Sequence, residues 1–368
     1  MVPMKTLHQV IFGPASDMSM IADSSVQLTV TSPPYPMIQM WDAIFSQQNL
    51  EIKNALEKED GNLAFELMHM ELDKVWDEVY RVTAPGGIVC INIGDATRTI
   101  DNNFSLYSNH SRILNYCTNI GFSNLPNLIW RKQTNAPNKF MGSGMMPPGA
   151  YVTLEHEYIL IFRKGGRREF RTSDAMRKRM ESSFFWEERN IWFSDIWNFK
   201  GTGQNLSTSN GRDRSGAFPF ELAYRLINMF SIKEDLVLDP FVGTGTTVMA
   251  AATSCRNSVG YELEETLSET ITQNMSDDFV DSANNRIRRR FIEHEEFVKS
   301  RQHQKGPNAF KHINSNYRFP VVTIQETQIV INYIHSIARR DNQKYEIDYF
   351  SEAVLDPCTK DSLFFPQV

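Results

Sequence analysis

The sequence predicts an α/β fold with an open sheet that binds its ligands at the carboxyl ends of its strands. Two stretches support this prediction. The apolar, β-branched run at 26–30 indicates a buried strand that two prolines end abruptly. The run at 236–239 indicates a second buried strand, which enters a glycine-rich turn and then a helix of small residues. Open α/β sheets bind ligands where strands end in this way.

The first stretch is Thr31-Ser32-Pro33-Pro34-Tyr35. Its prolines donate no backbone hydrogen bonds and fix their own φ, so they form a stiff turn with unpaired carbonyl groups. Together with the Ser32 hydroxyl and the Tyr35 ring, these carbonyls suit a planar group that carries an exocyclic amine. The same residues are also compatible with a simple turn or a polyproline ligand for a partner domain. Alone, this stretch leaves the function open.

The second stretch runs from this strand through a turn into the start of a helix. From the last residue of the strand onward it reads Asp239, Pro240, Phe241, Val242, Gly243, Thr244, Gly245, Thr246 and Thr247. The two glycines let the backbone approach a ligand and present the amides of a helix start. A phosphate-loop lysine and a complete Gly-x-Gly-x-x-Gly pattern are both missing, so a pyrophosphate is not predicted. The next strand, 258–262, ends at Glu262, whose carboxylate can accept both hydroxyls of a ribose. An ordinary βα turn and a capped strand end are the alternatives.

In this order, the two stretches resemble the β-group of DNA amino-methyltransferases that use S-adenosyl-L-methionine. The resemblance covers roughly residues 8–270. It implies a Rossmann-like, seven-stranded methyltransferase sheet with a circularly permuted motif order, an inserted target-recognition region and a C-terminal extension. It also implies that Ser32, Pro33, Pro34 and Tyr35 are catalytic. Serine before Pro-Pro-Tyr is typical of members that methylate cytosine N4, whereas members with Asp usually methylate adenine N6.

The resemblance further implies which residues bind the cofactor. They are Thr31, Phe218, Pro219, Asp239, Pro240, Phe241, Gly243, Thr244, Gly245, Thr246, Thr247 and Glu262. Phe218 and Pro219 open a helix whose amino end can face the methionine carboxylate. Family members commonly carry Gly-Asp in the turn after the first strand. Here Pro14 follows Gly13 and the nearest acid is Asp17, which leaves the contact to the adenine open.

Composition limits the class of protein. The 368 residues carry a net charge of −6, with 41% hydrophobic and 22% charged residues, as expected for a globular chain. This length can hold one large domain plus a smaller one, or two domains of ordinary size. The four cysteines form no Cys-x-x-Cys pair, which argues against a zinc site or a disulfide framework and fits the reducing cytoplasm. We find no apolar run of membrane-spanning length and no signal peptide. An acidic nucleic-acid binder must concentrate its positive charge on one face.

The densest positive charge lies at 163–189, interleaved with aromatic rings. The predicted DNA contacts are Lys132, Arg163, Lys164, Arg167, Arg168, Arg171, Arg177, Lys178 and Arg179. Such side chains bind phosphates, and arginine reads base edges; a solvated charged helix is the alternative. Since the segment lies between the two halves of the sheet, residues 133–212 are predicted to hold the remaining sheet strands and the target-recognition region.

The predicted organisation has four parts: a catalytic half at 1–132, the recognition region at 133–212, a cofactor-binding half at 213–278 and an extension of unassigned role at 279–368. Within the catalytic half, the segment from 37 to about 62 is predicted to be either a helix with an apolar stripe or a lid over the site. Within the extension we expect a charged, arginine-rich helix from about 286, a strand at 321–324 and a helix at 327–338. The arginines could contact DNA or form a solvated face.

The predicted function is therefore site-specific methylation of cytosine N4 in duplex DNA. The target base must leave the helix before it can react. The expected setting is a restriction-modification system, with a cognate restriction endonuclease and a second copy of the chain as candidate partners. Three alternatives stay open: adenine N6 methylation by the same fold, methylation of RNA or of a protein amine, and a DNA-binding subunit with an inactive site.

Overall fold

The computed structural model describes residues 4–132, 141–201, 218–306, 308–341, 343–351 and 353. The strands are β1 Lys5–Phe12, β2 Val26–Thr31, β3 Thr83–Ile93, β4 Ala96–Ile100, β5 Asn103–Tyr107, β6 Phe122–Asn124, β7 Leu128–Arg131, β8 Met141–Gly142, β9 Ala150–Tyr151, β10 His156–Lys164, β11 Ile196–Asn198, β12 Leu236–Asp239, β13 Asn257–Glu262, β14 His312–Ile313, β15 Pro320–Val321, β16 Ile334–Asp341 and β17 Lys344–Tyr349. The helices are α1 Asp42–Gln48, α2 Leu50–Glu57, α3 Gly61–Val82, α4 Asn109–Asn119, α5 Ser173–Glu181, α6 Trp186–Trp192, α7 Phe220–Phe230, α8 Thr246–Thr253, α9 Ser268–Asn274 and α10 Asp277–Lys305.

The main sheet has, within the described ranges, eleven strands in the order β11-β7-β10-β3-β2-β12-β13-β1-β17-β16, and β6 pairs with β10 beside β7. The five central strands, from β3 to β1, are parallel to one another. The positions from β7 to β1 make up the seven-stranded sheet that was predicted, and the α/β fold class is confirmed. β11 extends one edge, and the hairpin of β16 and β17 extends the other.

The two predicted motif strands lie side by side at the centre of this sheet. β12 pairs in parallel with β2, with Val237 opposite Leu28 and Leu238 opposite Thr29. β13 pairs in parallel with the other side of β12. Because parallel strands end at the same edge, the proline turn, the glycine turn and Glu262 all lie at one edge, which we call the catalytic edge.

Helices cover both faces of the sheet. Along β3, Val89 and Ile91 pack into one apolar cluster together with α3, while Cys90 packs into a second cluster with α7 and α8. This alternation follows from the two-residue period of a strand. Trp76 of α3 is fully buried in the first cluster. Helix α3 thus covers the face of β3 that carries Val89 and Ile91.

The C-terminal extension differs from its prediction in two elements. Residues 334–341 form strand β16, so the helix predicted at 327–338 is wrong. The strand predicted at 321–324 is reduced to the two residues of β15, followed by a 3₁₀ turn. The reason is tertiary: β17 pairs with the outer edge of β1, and β16 pairs with β17. Tyr345 and Ile347 of this hairpin are buried against α10 and α8.

The charged helix of the extension is present as α10, and its arginines divide between interior and surface. Arg290 is 4% exposed and donates from Nε and Nη2 to the two carboxylate oxygens of Glu188, at 2.6 and 2.8 Å. Arg289 is exposed and pairs with Glu293 on the same helix. Neither of the two predicted roles fits the whole cluster, since Arg290 joins α10 to α6 inside the protein.

None of the helices in the described part of the chain is both long and apolar enough to cross a membrane. Cys90, Cys117 and Cys255 are buried free thiols, and Cys358 lies outside the described residues.

Replacing Arg290 by Ala is expected to lower the free energy of unfolding by about 3–5 kcal/mol, because it leaves the Glu188 carboxylate buried without its counter-charge. Arg289→Ala is the matched control, and its effect should stay below about 1 kcal/mol since its ion pair is exposed to water. Urea denaturation followed by circular dichroism measures both values. Equal losses would contradict this assignment of the buried pair.

Candidate active site

A buried carboxylate joins the two motif strands at the catalytic edge. Asp239, at the end of β12, accepts hydrogen bonds from the Thr31 hydroxyl and from the Thr247 hydroxyl, each at 2.6 Å, and from the Phe241 amide at 3.0 Å. Its side chain is 2% exposed. Thr31, Asp239 and Thr247 were predicted to bind the cofactor. In the structure their polar atoms bind one another and so link the proline turn to the glycine turn, and their contact with the cofactor stays a prediction.

The glycine turn needs its glycines. Gly243 and Gly245 have φ angles of +55° and +93°, in the left-handed region that side chains disfavour. The Gly243 amide donates to Glu262 Oε2 at 2.8 Å, and the Glu264 amide donates to Oε1 at 2.9 Å. Burial raises the pKa of the Glu262 carboxyl, while these two amides oppose the rise. The carboxylate has further lone pairs, which leaves it able to accept ribose hydroxyls.

A cleft of about 430 Å³ lies between the two motifs, within the usual range of small-molecule sites. Of the residues predicted to be functional, Ser32, Pro34, Phe218, Pro240, Phe241, Gly243, Thr244, Thr246 and Glu262 line it. Thr31, Pro33, Tyr35, Pro219, Asp239, Gly245 and Thr247 lie outside its wall. The proline turn and the glycine turn therefore share one cavity, as the sequence predicted.

The remaining wall comes from the chain after the first strand and from the segment after the proline turn. Gly13, Pro14 and Ser16 line the cleft, whereas Asp17 accepts a hydrogen bond from the Ser19 amide at 3.0 Å. From the segment predicted to be a stripe or a lid, Trp41 and Phe45 line the cleft. Phe45 is at the same time buried in the core. In the structure the start of this segment thus forms part of the wall of the cleft.

The proline turn, called the catalytic turn below because it carries the predicted catalytic residues, is held from behind by groups outside the predicted set. The Asn109 side chain donates to the Pro36 carbonyl at 3.1 Å and to the Gly94 carbonyl at 3.0 Å. The half-buried Tyr35 ring packs directly on Gly94, where any side chain would meet the ring at 3.0 Å. Asp95 accepts from the backbone and the ring of His110 at the start of α4, as expected for a helix cap.

The Tyr35 hydroxyl lies in a polar cluster made of Ser32, Tyr35, Asn92, Glu157 and Lys132. It lies 3.1 Å from Ser32 Oγ and donates to Glu157 Oε2 at 2.9 Å. The Asn92 amide donates to that same carboxylate oxygen at 2.6 Å, and the Lys132 ammonium pairs with the other one. Burial, and then the negative charge of Glu157, raise the pKa of Tyr35 well above its ordinary value, so the hydroxyl keeps its proton.

Sequence reasoning missed Asn92 and Glu157. Asn92 interrupts the apolar run at 88–93, and Glu157 directly precedes the apolar run at 158–162; a polar residue beside such a run is a signal of a buried polar contact. The antiparallel pairing of β3 with β10 brings both to the end of the sheet where Tyr35 lies. In the described ranges no cluster of three or more His, Cys, Asp or Glu side chains is arranged to hold a metal ion.

The predicted DNA-binding residues are split between the two edges of the sheet. β10 runs antiparallel to β3, so Glu157 lies at the catalytic edge and Lys164 at the opposite edge. The two residues are seven steps apart along the strand, which is about 23 Å at 3.3 Å per step. Lys132 lies at the catalytic edge. The other eight predicted residues lie at or beyond the far end of β10, and the structure does not bring them to the proline turn. They are Arg163, Lys164, Arg167, Arg168, Arg171, Arg177, Lys178 and Arg179.

Four of these eight distant cations, Arg168, Arg171, Arg177 and Lys178, form ion pairs within the protein. Arg168 binds both carboxylate oxygens of Asp235, at 2.5 and 2.8 Å. Lys178 pairs with Glu234 at 2.7 Å, and Arg177 pairs with two acids of its own helix. The pairs made by Arg168 and Lys178 fasten the segment around α5 to the residues just before β12. The parts of the recognition region at 133–140 and 202–212 lie outside the described residues.

The part of the chain that builds this site matches a known family. Residues 26–274 match the family model described as DNA methylase, N6_N4_Mtase. The chain belongs to this DNA methylase family. The matched range starts at β2 and ends with α9, so it contains both motif strands and the glycine turn between which the cleft lies.

Two relatives of the DNA methylase are half identical to it. The type II methyltransferase M.MthZI of Methanothermobacter thermautotrophicus is 50% identical over 348 residues, which cover 94% of this chain and 96% of the relative. The type II methyltransferase M.MjaI of Methanocaldococcus jannaschii is 50% identical over 283 residues, 74% of this chain and 92% of the relative. The first match extends well beyond the family model, into the C-terminal extension.

A solved structure shares the fold. The Thermus thermophilus protein TTHA0409, a putative DNA modification methylase complexed with S-adenosyl-L-methionine, superposes with a TM-score of 0.57 at 31% identity. The match covers 73% of this DNA methylase and 92% of that protein. S-adenosyl-L-methionine is the methyl donor of the family.

The environment of Asp239 predicts a pH dependence of stability. Burial raises the pKa of Asp239 to about 6, against the hydrogen bonds from Thr247, Thr31 and the Phe241 amide. A folded-state pKa above the unfolded value means that Asp239 stabilises the fold below pH 4 and that this contribution is lost as the pH rises through 6. Relative to Asp239→Asn, the wild type should lose up to about 3 kcal/mol of unfolding free energy across this window.

Urea denaturation of both proteins between pH 4 and pH 8 measures this difference. The asparagine variant is the control for every other titrating group, because only position 239 differs. A difference that stays constant with pH would contradict the buried, ionisable link between the strands.

Proposed function

We propose that this DNA methylase transfers a methyl group from S-adenosyl-L-methionine to the exocyclic N4 of cytosine in duplex DNA. One observation carries the proposal: the Ser32 hydroxyl and the glycine turn line the same cleft. A serine in front of Pro-Pro-Tyr favours cytosine over adenine through the family resemblance. The two relatives are named type II methyltransferases, which supports a restriction-modification setting with a cognate endonuclease.

The wall of the cleft fits the methyl donor. The Glu262 carboxylate is positioned to accept the ribose hydroxyls, and the open backbone at Gly243 permits close approach of the ligand. The rings of Phe218 and Phe241 offer apolar surfaces in the same cavity. When bound, S-adenosyl-L-methionine supplies a methyl group on a sulfonium, which is electrophilic. This chain's own part is to hold the acceptor amine beside it.

The amine of a cytosine is a weak nucleophile because its lone pair is delocalised into the ring. Ser32 Oγ and the Pro33 carbonyl would accept its two hydrogens, which favours a pyramidal nitrogen whose lone pair is free. Extrusion of the base costs a few kcal/mol, and stacking on Tyr35 would return about 1–3 kcal/mol. Most of the rate then comes from positioning and from fixed dipoles.

We propose the catalytic edge as the DNA-binding face. Lys132 lies there, with its side chain 38% exposed. The hairpin β4–β5 follows the end of β3 at this edge, and the hairpin β8–β9 precedes the start of β10 there. The stacked rings of Phe104 and Tyr151, with centroids 4.4 Å apart, connect the two hairpins. The β8–β9 hairpin belongs to the predicted recognition region, and in this placement it would meet the duplex. A homodimer remains a further proposal.

Product analysis tests the reaction. The purified protein is incubated with unmethylated phage DNA and methyl-labelled S-adenosyl-L-methionine, and the DNA is digested to nucleosides for mass spectrometry. Labelled N4-methylcytosine is expected. Labelled N6-methyladenine would assign the same site to adenine, and label only in RNA or protein would overturn duplex DNA as substrate. Failure to bind the methyl donor in a calorimetric titration would contradict every enzymatic assignment.

A pair of variants separates the two halves of the cleft. Tyr35→Ala should lower turnover by 10-fold or more, about 1–3 kcal/mol of lost stacking, with unchanged affinity for the methyl donor. Glu262→Ala should first weaken the affinity for the methyl donor, by about 10²-fold or more for one lost pair of charge-assisted hydrogen bonds. Calorimetry and single-turnover rates at saturating donor give both quantities. Parallel losses of affinity in the two variants would contradict separate roles.

A further inference from the structure

The cluster behind the catalytic turn forms a continuous hydrogen-bonded path that leads away from the cleft. Ser32 lines the cleft, and its Oγ is 3.1 Å from the Tyr35 hydroxyl. That hydroxyl is 2.9 Å from Glu157 Oε2. Glu157 is 7% exposed, and its other oxygen pairs with Lys132, whose side chain reaches solvent. The path runs from the proposed methyl acceptor to a buried carboxylate.

The chemistry of the groups sets the direction of the hydrogen bonds. An ionised carboxylate only accepts, so Tyr35 donates its proton to Glu157. The Tyr35 oxygen then accepts, both from the Ser32 hydroxyl and from the Asn92 amide at 2.9 Å. With its own proton directed at Tyr35, Ser32 turns its lone pairs towards the cleft. This is the orientation required to accept a hydrogen from a target amine.

We propose that Glu157 is a positioning residue for methyl transfer and the final acceptor of the proton that the amine loses. The proposal deepens the proposed function and rests on it, since it needs an exocyclic amine at Ser32. It applies to cytosine N4 and adenine N6 alike. Within the cluster, Lys132 provides the counter-charge and Asn92 holds the carboxylate oxygen that faces Tyr35.

The proton balance of the reaction requires such an acceptor. An amine that gains a methyl group forms one C–N bond and must give up one of its two hydrogens, while the electron pair of the broken C–S bond stays on sulfur. The N–H proton passes to Ser32 Oγ as the Ser32 proton passes to Tyr35. The Tyr35 proton passes to Glu157, which becomes a neutral acid. Every other group ends with the number of protons it had at the start.

Glu157→Gln tests the role of the carboxylate. The amide keeps the shape of the side chain and can still accept from Tyr35, but it cannot take up the proton. The single-turnover rate of methyl transfer to phage DNA should fall about 10²-fold, with unchanged affinity for the methyl donor and unchanged KM for DNA. The control is Glu155→Gln, two residues earlier, where the acid pairs with Arg131 at 3.2 Å and the rate should equal that of the wild type.

Tyr35→Phe interrupts the path at its middle and keeps the stacking ring, so it provides a second route to the same answer. Its rate should fall as far as that of Glu157→Gln. The double variant should then be no slower than either single one, because residues that act as a unit are not additive. Multiplied losses in the double variant would overturn the path, as would a wild-type rate for Glu157→Gln.

The measured quantities separate the possible failures. A loss of donor or DNA affinity in Glu157→Gln, with an unchanged rate at saturation, would reduce Glu157 to a structural role and overturn the proposal. If the wild type and Glu157→Gln methylate DNA at the same rate, the proposed function is still supported. Only the proposed proton path is then overturned. A wild-type protein that methylates no amine overturns both.

Discussion

The two motifs meet because one buried carboxylate has two hydroxyl donors and no access to water. Asp239 draws the Thr31 and Thr247 hydroxyls to 2.6 Å each, and these residues come from the end of β2 and the start of α8. A buried polar group is costly unless its partners are in place. The distance between the proline turn and the glycine turn is thereby fixed before any ligand arrives.

The local signals of the sequence were sufficient for the centre of the fold and for the cleft. A strand that stops at prolines and a strand that enters glycines both have to end at a ligand edge, and parallel pairing brings those ends together. The sequence did not show which residues of the second motif face the cavity. Phe241 and Thr246 line it, whereas Asp239 and Thr247, in the same short stretch, point into the protein, and spacing alone does not separate these two groups.

Other features depend on strand direction and helix rotation, which the sequence does not carry. Glu157 and Lys164 belong to one strand, yet they lie at opposite edges of the sheet because β10 reverses against β3. The richest run of positive charge therefore follows the far end. Arg289 and Arg290 are neighbours in sequence, but a single residue step around α10 places one in water and the other against Glu188. In the extension, pairing with β17 overrode a local helical pattern at 334–341.

The long stretch of chain between the two motif strands also has a consequence for biosynthesis. Thr31 and Asp239 are 208 positions apart, so the ribosome completes β2 long before its central neighbour β12 exists. At about 5–20 residues per second, β2 waits roughly 10–40 s with an unpaired backbone edge. Exposed strand edges invite pairing with other chains. During translation the edge of β2 that faces β12 thus stays open until the strand before the glycine turn has been made.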